Sequence, residues 1–125
     1  MTEAQLTELV HSFYGKVRED EALGPVFDAA ISDWPHHLGK MVDFWSSVML
    51  TSGRYKGNPM MMHLKHVARI RPEMFARWLE LWRETALGIL DESGAAAVIA
   101  KAERIAESLQ LGLFFKLEPR GAVAA

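Results

Sequence analysis

The chain has no cysteine among its 125 residues, which removes disulfides, thiolate metal ligands and thiol nucleophiles together. It also has no excess of positive charge: 14 Lys and Arg face 16 Asp and Glu, and the basic residues are scattered. Nucleic acid is recognised through a basic patch, so that class of partner is not expected. No apolar run approaches the roughly 20 residues that span a bilayer, so no membrane partner is expected. The opening "MTEAQLTELV" carries acids and lacks the basic and apolar segments of a secretory leader. Repeats, low-complexity blocks and convincing strand patterns are missing too. What remains is half hydrophobic and nearly neutral, the composition of one packed domain, expected in the cytoplasm.

Nearly every periodic segment reads as helix. Thr2-x-x-Gln5 has the form of a capping box, and Leu6, Leu9, Val10, Phe13 and Val17 follow at helical spacing. Gly24-Pro25 then breaks the helix. A second starts after Ser32 or Asp33, with Pro35 in its first turn, and carries the stripe Leu38, Met41, Val42, Trp45, Val48 and Met49. His37, Met41, Phe44 and Val48 share a neighbouring line. "TSGRYKGNP", residues 51–59, reads as a loop, and Met60 to His66 as a short helical turn. Pro72 opens a further helix with Phe75, Trp78, Leu79, Trp82 and Ala86 on a broad face, which "DESG", residues 91–94, ends. A last helix runs through Val98, Ile99, Ala102, Ile105, Leu109 and Leu113. The prediction is an all-α domain over residues 1–115 followed by a frayed tail over 116–125.

The chemistry concentrates in "GNPMMMHLKHVARIRPEMF", residues 57–75, where His63 and His66 lie three apart behind three methionines. Zinc needs three or four N, S or O ligands, and the zincin motif wants a glutamate after its first histidine, where Leu64 stands here. Soft apolar surroundings disfavour a hard cation as well. Glu8-x-x-His11 fits di-iron spacing, but such a site needs a second pair and two more glutamates. Haem suits the stretch better, because an iron porphyrin needs one strong axial imidazole and a large apolar slot. His63 offers the bond; Met41, Phe44, Met62, Phe75 and Leu79 offer parts of the wall. Periodicity alone favours these residues as ordinary core. Against that, Tyr14, His37 and Trp78 put three hydrogen-bond donors on three inward stripes, where each needs a partner.

Taken together, "FYGKVREDEALGPVF" (13–27), "WPHHLGKMVDFW" (34–45), "YKGNPMMMH" (55–63) and "MFARWLELW" (74–82) resemble the third group of truncated haemoglobins, from about Leu6 to Phe115. The resemblance implies a shortened globin, its helices two-over-two around haem b, iron protoporphyrin IX. It implies His63 as the proximal ligand, and Tyr14, His37 and Trp78 as distal residues of three different helices. Phe27 matches the haem-packing aromatic. His66 is a rival proximal ligand, disfavoured by the "GxP" lead-in, and His36 is a rival to His37. Lys40 is a candidate propionate partner, with Arg69 a looser one. The double-glycine motifs of the other groups are absent, as expected for the third.

By implication the chain binds dioxygen, nitric oxide, carbon monoxide or peroxide at a five-coordinate iron. The implied chemistry is nitric oxide dioxygenation or peroxide handling, by a monomer served by an unidentified reductase. A ligand carrier or sensor without turnover stays open, as does a haem-free helical interaction module. His37 is expected to act as a gate, opening as pH falls through the ordinary histidine value near 6.5.

Overall fold

The computed structural model describes residues 1–114; the tail expected over 116–125 lies outside them. Six α-helices follow in order: α1 Glu3–Glu19, α2 Gly24–Ala30, α3 Trp34–Leu50, α4 Pro59–Leu64, α5 Pro72–Ile89 and α6 Glu92–Phe114. A 3₁₀ turn, Val67–Arg69, joins α4 to α5, and no strand occurs among the described residues. No helix among them is long and apolar enough to cross a membrane.

Local chemistry explains where the helices begin. The capping box forms as the sequence predicts: Gln5 N donates to Thr2 Oγ1 at 3.1 Å and Thr2 N to Gln5 Oε1 at 2.9 Å. Pro25, Pro35, Pro59 and Pro72 each sit in the first turn of a helix, where the missing N–H is no loss.

Two boundaries differ from the sequence reading. α1 has already ended at Glu19, with Asp20 in extended backbone as its C-cap, and Gly24-Pro25 opens α2 rather than breaking α1. Gly24 lies against the end of α1, and a Cβ there would stand 2.7 Å from the Arg18 carbonyl oxygen. Close approach of backbones, rather than flexibility, selects glycine. Gly24→Ala is therefore expected to cost about 1–3 kcal/mol in denaturant unfolding, as overpacking does; an unchanged midpoint would contradict this contact. "DESG" likewise begins a helix. Asp91 Oδ1 accepts from Gly94 N at 2.7 Å, so the segment caps α6 while α5 has already ended at Ile89.

Two helix pairs make the body. α1 packs against both α3 and α5, and α5 packs along α6, while α2 leans on α1 and α4 on α6. Leu6, Leu9, Val10, Phe13 and Val17 of α1 are fully buried between them. Trp82 stacks on Trp45 of α3 at 4.4 Å between ring centroids, and its indole N–H donates to Val98 O of α6 at 3.1 Å. One aromatic thus joins three helices.

The remaining side is underfilled. α3 buries only Trp45 and Ser46, although His37, Leu38, Met41, Val42, Phe44, Val48 and Met49 are half-buried along it. α4 buries nothing completely. A large apolar helix face left half open marks a binding slot.

Candidate functional site

His63 is built into α4 with one ring nitrogen already used. Asn58 caps the helix through its side-chain oxygen, which accepts from Met61 N at 3.2 Å, and Pro59 occupies the first position. One turn on, His63 Nδ1 lies 2.7 Å from Pro59 O. A carbonyl can only accept, so the proton sits on Nδ1 and the neutral ring keeps its lone pair on Nε2. That is the tautomer of a histidine prepared to bind a metal, with its ring orientation held from behind. Among the described residues no three His, Asp or Glu side chains converge to chelate an ion, so His63 offers a single protein bond.

His37 on α3 is the electrostatic counterpart of His63. Asp33 caps α3 by accepting from His36 N at 3.1 Å, which turns His36 to solvent and His37 inward. The His37 ring meets Tyr14 edge-on at 5.1 Å and Trp34 at 5.6 Å. Its Nε2 is buried with no hydrogen-bond partner. Burial, followed by the neighbouring Lys40, His36 and His63 charges, lowers its pKa to about 4. His37 is therefore neutral at ordinary pH, with an unsatisfied nitrogen that the protein does not answer. Such an orphan is costly unless something else occupies the slot.

This corrects the expected gate. Burial lowers the His37 pKa to about 4, so a gate that opens on protonation is expected to open near pH 4 rather than near 6.5. Carbon monoxide association is thus expected to stay flat from about pH 8 to about pH 5 and to quicken below that range, with the rise absent in His37→Leu. A rise centred near pH 6.5 and lost in His37→Leu would show that the imidazole is solvated.

Tyr14 is 6% exposed, and burial pushes its phenol well above the ordinary value, so the hydroxyl keeps its proton and can donate. Phe27 of α2 meets the Tyr14 ring at 5.9 Å. Trp78 of α5 reaches the cluster across Phe13, whose ring lies 5.6 Å from Trp78 and 5.0 Å from Tyr14. Met41 and Phe44 continue the half-buried face of α3, and Leu79 is half-buried on α5. Phe75 is buried near the start of α5, one turn before Trp78 and Leu79, in contact with Phe114. Lys40, Met62 and Arg69 are exposed; of these, Lys40 lines a cleft of about 320 Å³ with Tyr55 and Lys56.

Some contributors were not visible as site residues in the sequence. Trp34 stands three before His37 on the same helix face, its indole held by Asp28 at 3.3 Å and covered by the Arg18 guanidinium at 4.6 Å. The "WPHH" spacing contains that signal. Arg54 is the other, and its partners are far apart in sequence.

An orphaned imidazole on the half-buried apolar face of α3, near enough to His63 for their charges to interact, suits a flat apolar cofactor with a metal at its centre. Comparison with known proteins points the same way. The bacterial-like globin family matches residues 2–109. The group 3 truncated hemoglobin ctb of Campylobacter jejuni is 31% identical over 118 residues, covering 91% of this chain and 92% of the relative. A crystal structure of a group III truncated hemoglobin from Campylobacter jejuni superposes with a TM-score of 0.85 at 30% identity, covering 95% of this chain and 96% of the other. The chain belongs to the bacterial-like globins, in their third group of truncated haemoglobins.

Proposed function

We propose that the chain binds small diatomic ligands on haem held by His63, and that its role is redox chemistry, nitric oxide dioxygenation first and peroxide handling second. Globins bind haem, with haem b the usual form, and this chain shares that property with its family. Haem, when bound, would supply an iron that His63 could hold through its imidazole and that would bind a small diatomic ligand. The observation that carries the reading is the His63 ring, held through Nδ1 to Pro59 O, together with the unpartnered Nε2 of His37, a ring near enough for the two charges to interact.

The chain's own residues then divide the work. His63 presents Nε2. Tyr14, Trp78 and His37 offer O–H and N–H donors from three helices to whatever occupies the distal side. Phe27, Met41, Phe44, Met62, Phe75 and Leu79 supply apolar wall and exclude water. Lys40 and Arg69, both exposed, suit the propionates at the rim. Donors that hold a partly charged ligand slow its escape, and two together hold it too long for delivery. Slow escape favours reaction in place.

In this reading the protein works as a cytoplasmic monomer with a separate reductase. Nitric oxide, dioxygen and one electron give nitrate, and the reductase restores that electron. The test is to mix oxygen-loaded ferrous protein with one equivalent of nitric oxide. One nitrate per haem, with ferric protein left behind, is expected. Nitric oxide retained on the protein without nitrate would favour the carrier or sensor reading.

A further inference from the structure

We propose that Arg54 is a positioning residue for His63, acting as a clamp on the segment between α3 and α4. The proposal rests on His63 as the iron ligand. Its basis is a contrast in how α4 and its approach are held.

α4 is six residues long and buries no side chain, so its own packing does little to fix where His63 points. Contact with the body comes through Met60, which lies on the backbone of Gly112 in α6, where a Cβ would collide with the thioether. The other support is the connection before it. Residues 51–58 form no helix or strand, yet Thr51, Ser52, Arg54 and Tyr55 each bond back to α3. Arg54 Nε donates to Asp43 Oδ1 at 3.1 Å, Nη1 to Glu3 Oε2 at 3.3 Å and Nη2 to Ser46 Oγ at 3.0 Å, with a further bond from Nη2 to Glu3 Oε1.

The receiving side is equally ordered. Ser46 is fully buried; its hydroxyl donates to Asp43 O at 3.0 Å and stands 2.7 Å from Ser52 Oγ. Tyr55 N donates to Ser47 Oγ at 3.0 Å, and the Tyr55 ring meets Phe44 edge-on at 5.2 Å. One guanidinium therefore joins the first turn of α1, the middle of α3 and the loop. Only four residues separate Arg54 from Pro59, whose carbonyl orients His63. Because α3 also carries His37, the clamp sets the width of the slot.

Isolated surface ion pairs contribute little, but a planar guanidinium with four bonds to three partners fixes geometry as well as charge. The consequence belongs at the iron. Arg54→Met keeps the side chain's length and removes its donors. In the haem-loaded ferrous variant the iron–histidine stretching band should shift or broaden, and haem transfer to an acceptor apoglobin should quicken about tenfold, the low end of what partners that orient a metal ligand contribute. Arg54→Lys, with one cation and no fork, should recover only part of the difference.

Arg77→Met is the control. Arg77 makes a comparable knot with Asp20 at 2.7 Å and Glu80 at 2.9 Å, remote in sequence from the α3–α4 connection, so its loss should lower unfolding stability without moving the band. If Arg54→Met behaves like Arg77→Met, losing stability with band and haem transfer unchanged, the clamp is overturned. Should Arg54→Met fail to fold, Glu3→Gln must move the same two readouts in the same direction, and no movement there overturns the proposal equally. A band that survives in His63→Ala would instead sink the ligand assignment, whatever Arg54 does.

Discussion

His63→Ala should abolish the imidazole-ligated ferrous spectrum and most haem retention, while His66→Ala leaves both in place. The two histidines share a short segment, but their surroundings differ. His63 Nδ1 donates to Pro59 O across 2.7 Å, which leaves Nε2 free. His66 sits past the end of α4, at the entry to the 3₁₀ turn, and its backbone N–H donates to His63 O at 3.0 Å. Loss of an outer-shell partner costs roughly 10–100-fold in metal affinity, and loss of the ligand itself should cost more. Haem titration and the Soret band of each variant provide the measurement. If His66→Ala abolishes the spectrum and His63→Ala does not, the proximal assignment is wrong.

The second large effect lies on the other side of the slot. Tyr14→Phe and Trp78→Phe should each speed oxygen escape from ferrous protein, measured by displacement with carbon monoxide. A hydrogen bond to a partly charged acceptor contributes roughly 1.5–3 kcal/mol, or about ten- to a hundredfold in rate. Tyr14 can supply it because burial keeps its hydroxyl protonated. Tyr14→Phe preserves the ring contacts with Phe13 and His37, whereas Trp78→Phe keeps an aromatic ring but gives up part of the stacking on Trp82, so its unfolding stability is measured alongside. Unchanged rates in both variants would mean that neither group touches the ligand. A slower rate in one would mean that the donors compete.

These contrasts also mark what the sequence makes legible. α1, α3, α5 and α6 follow from apolar residues at a 3.6 period, and that signal is strong because each helix carries a continuous apolar stripe, half-buried rather than buried in α3. α2 was hidden because Gly24-Pro25 looks like a breaker; its meaning depends on the Arg18 carbonyl, a tertiary contact no local pattern encodes. Asp91 reads as an end for a different reason: its cap on Gly94 N is a local bond, but α5 and α6 follow each other so closely that one Asp-Gly segment serves as both stop and start signal. Within the site, spacing and resemblance single out His63, Tyr14, His37, Trp78 and Phe27 as candidates, whereas nothing in the loop "TSGRYKGNP" marks out Arg54. Its partner Glu3 is 51 positions away. The pKa of His37 was equally out of reach, since burial, which dominates it, is a property of the folded chain.

The central claim is that Tyr14, Trp78 and His37 point their donors into the space facing His63. The stretching frequency of carbon monoxide bound to the ferrous protein reads the electric field in that space directly, because donors weaken the C–O bond and lower its frequency. Expected is a low-frequency band that moves upward in Tyr14→Phe and in Trp78→Phe, and moves again in His37→Leu. A single band at the value of an apolar pocket, unmoved by all three substitutions, would contradict it.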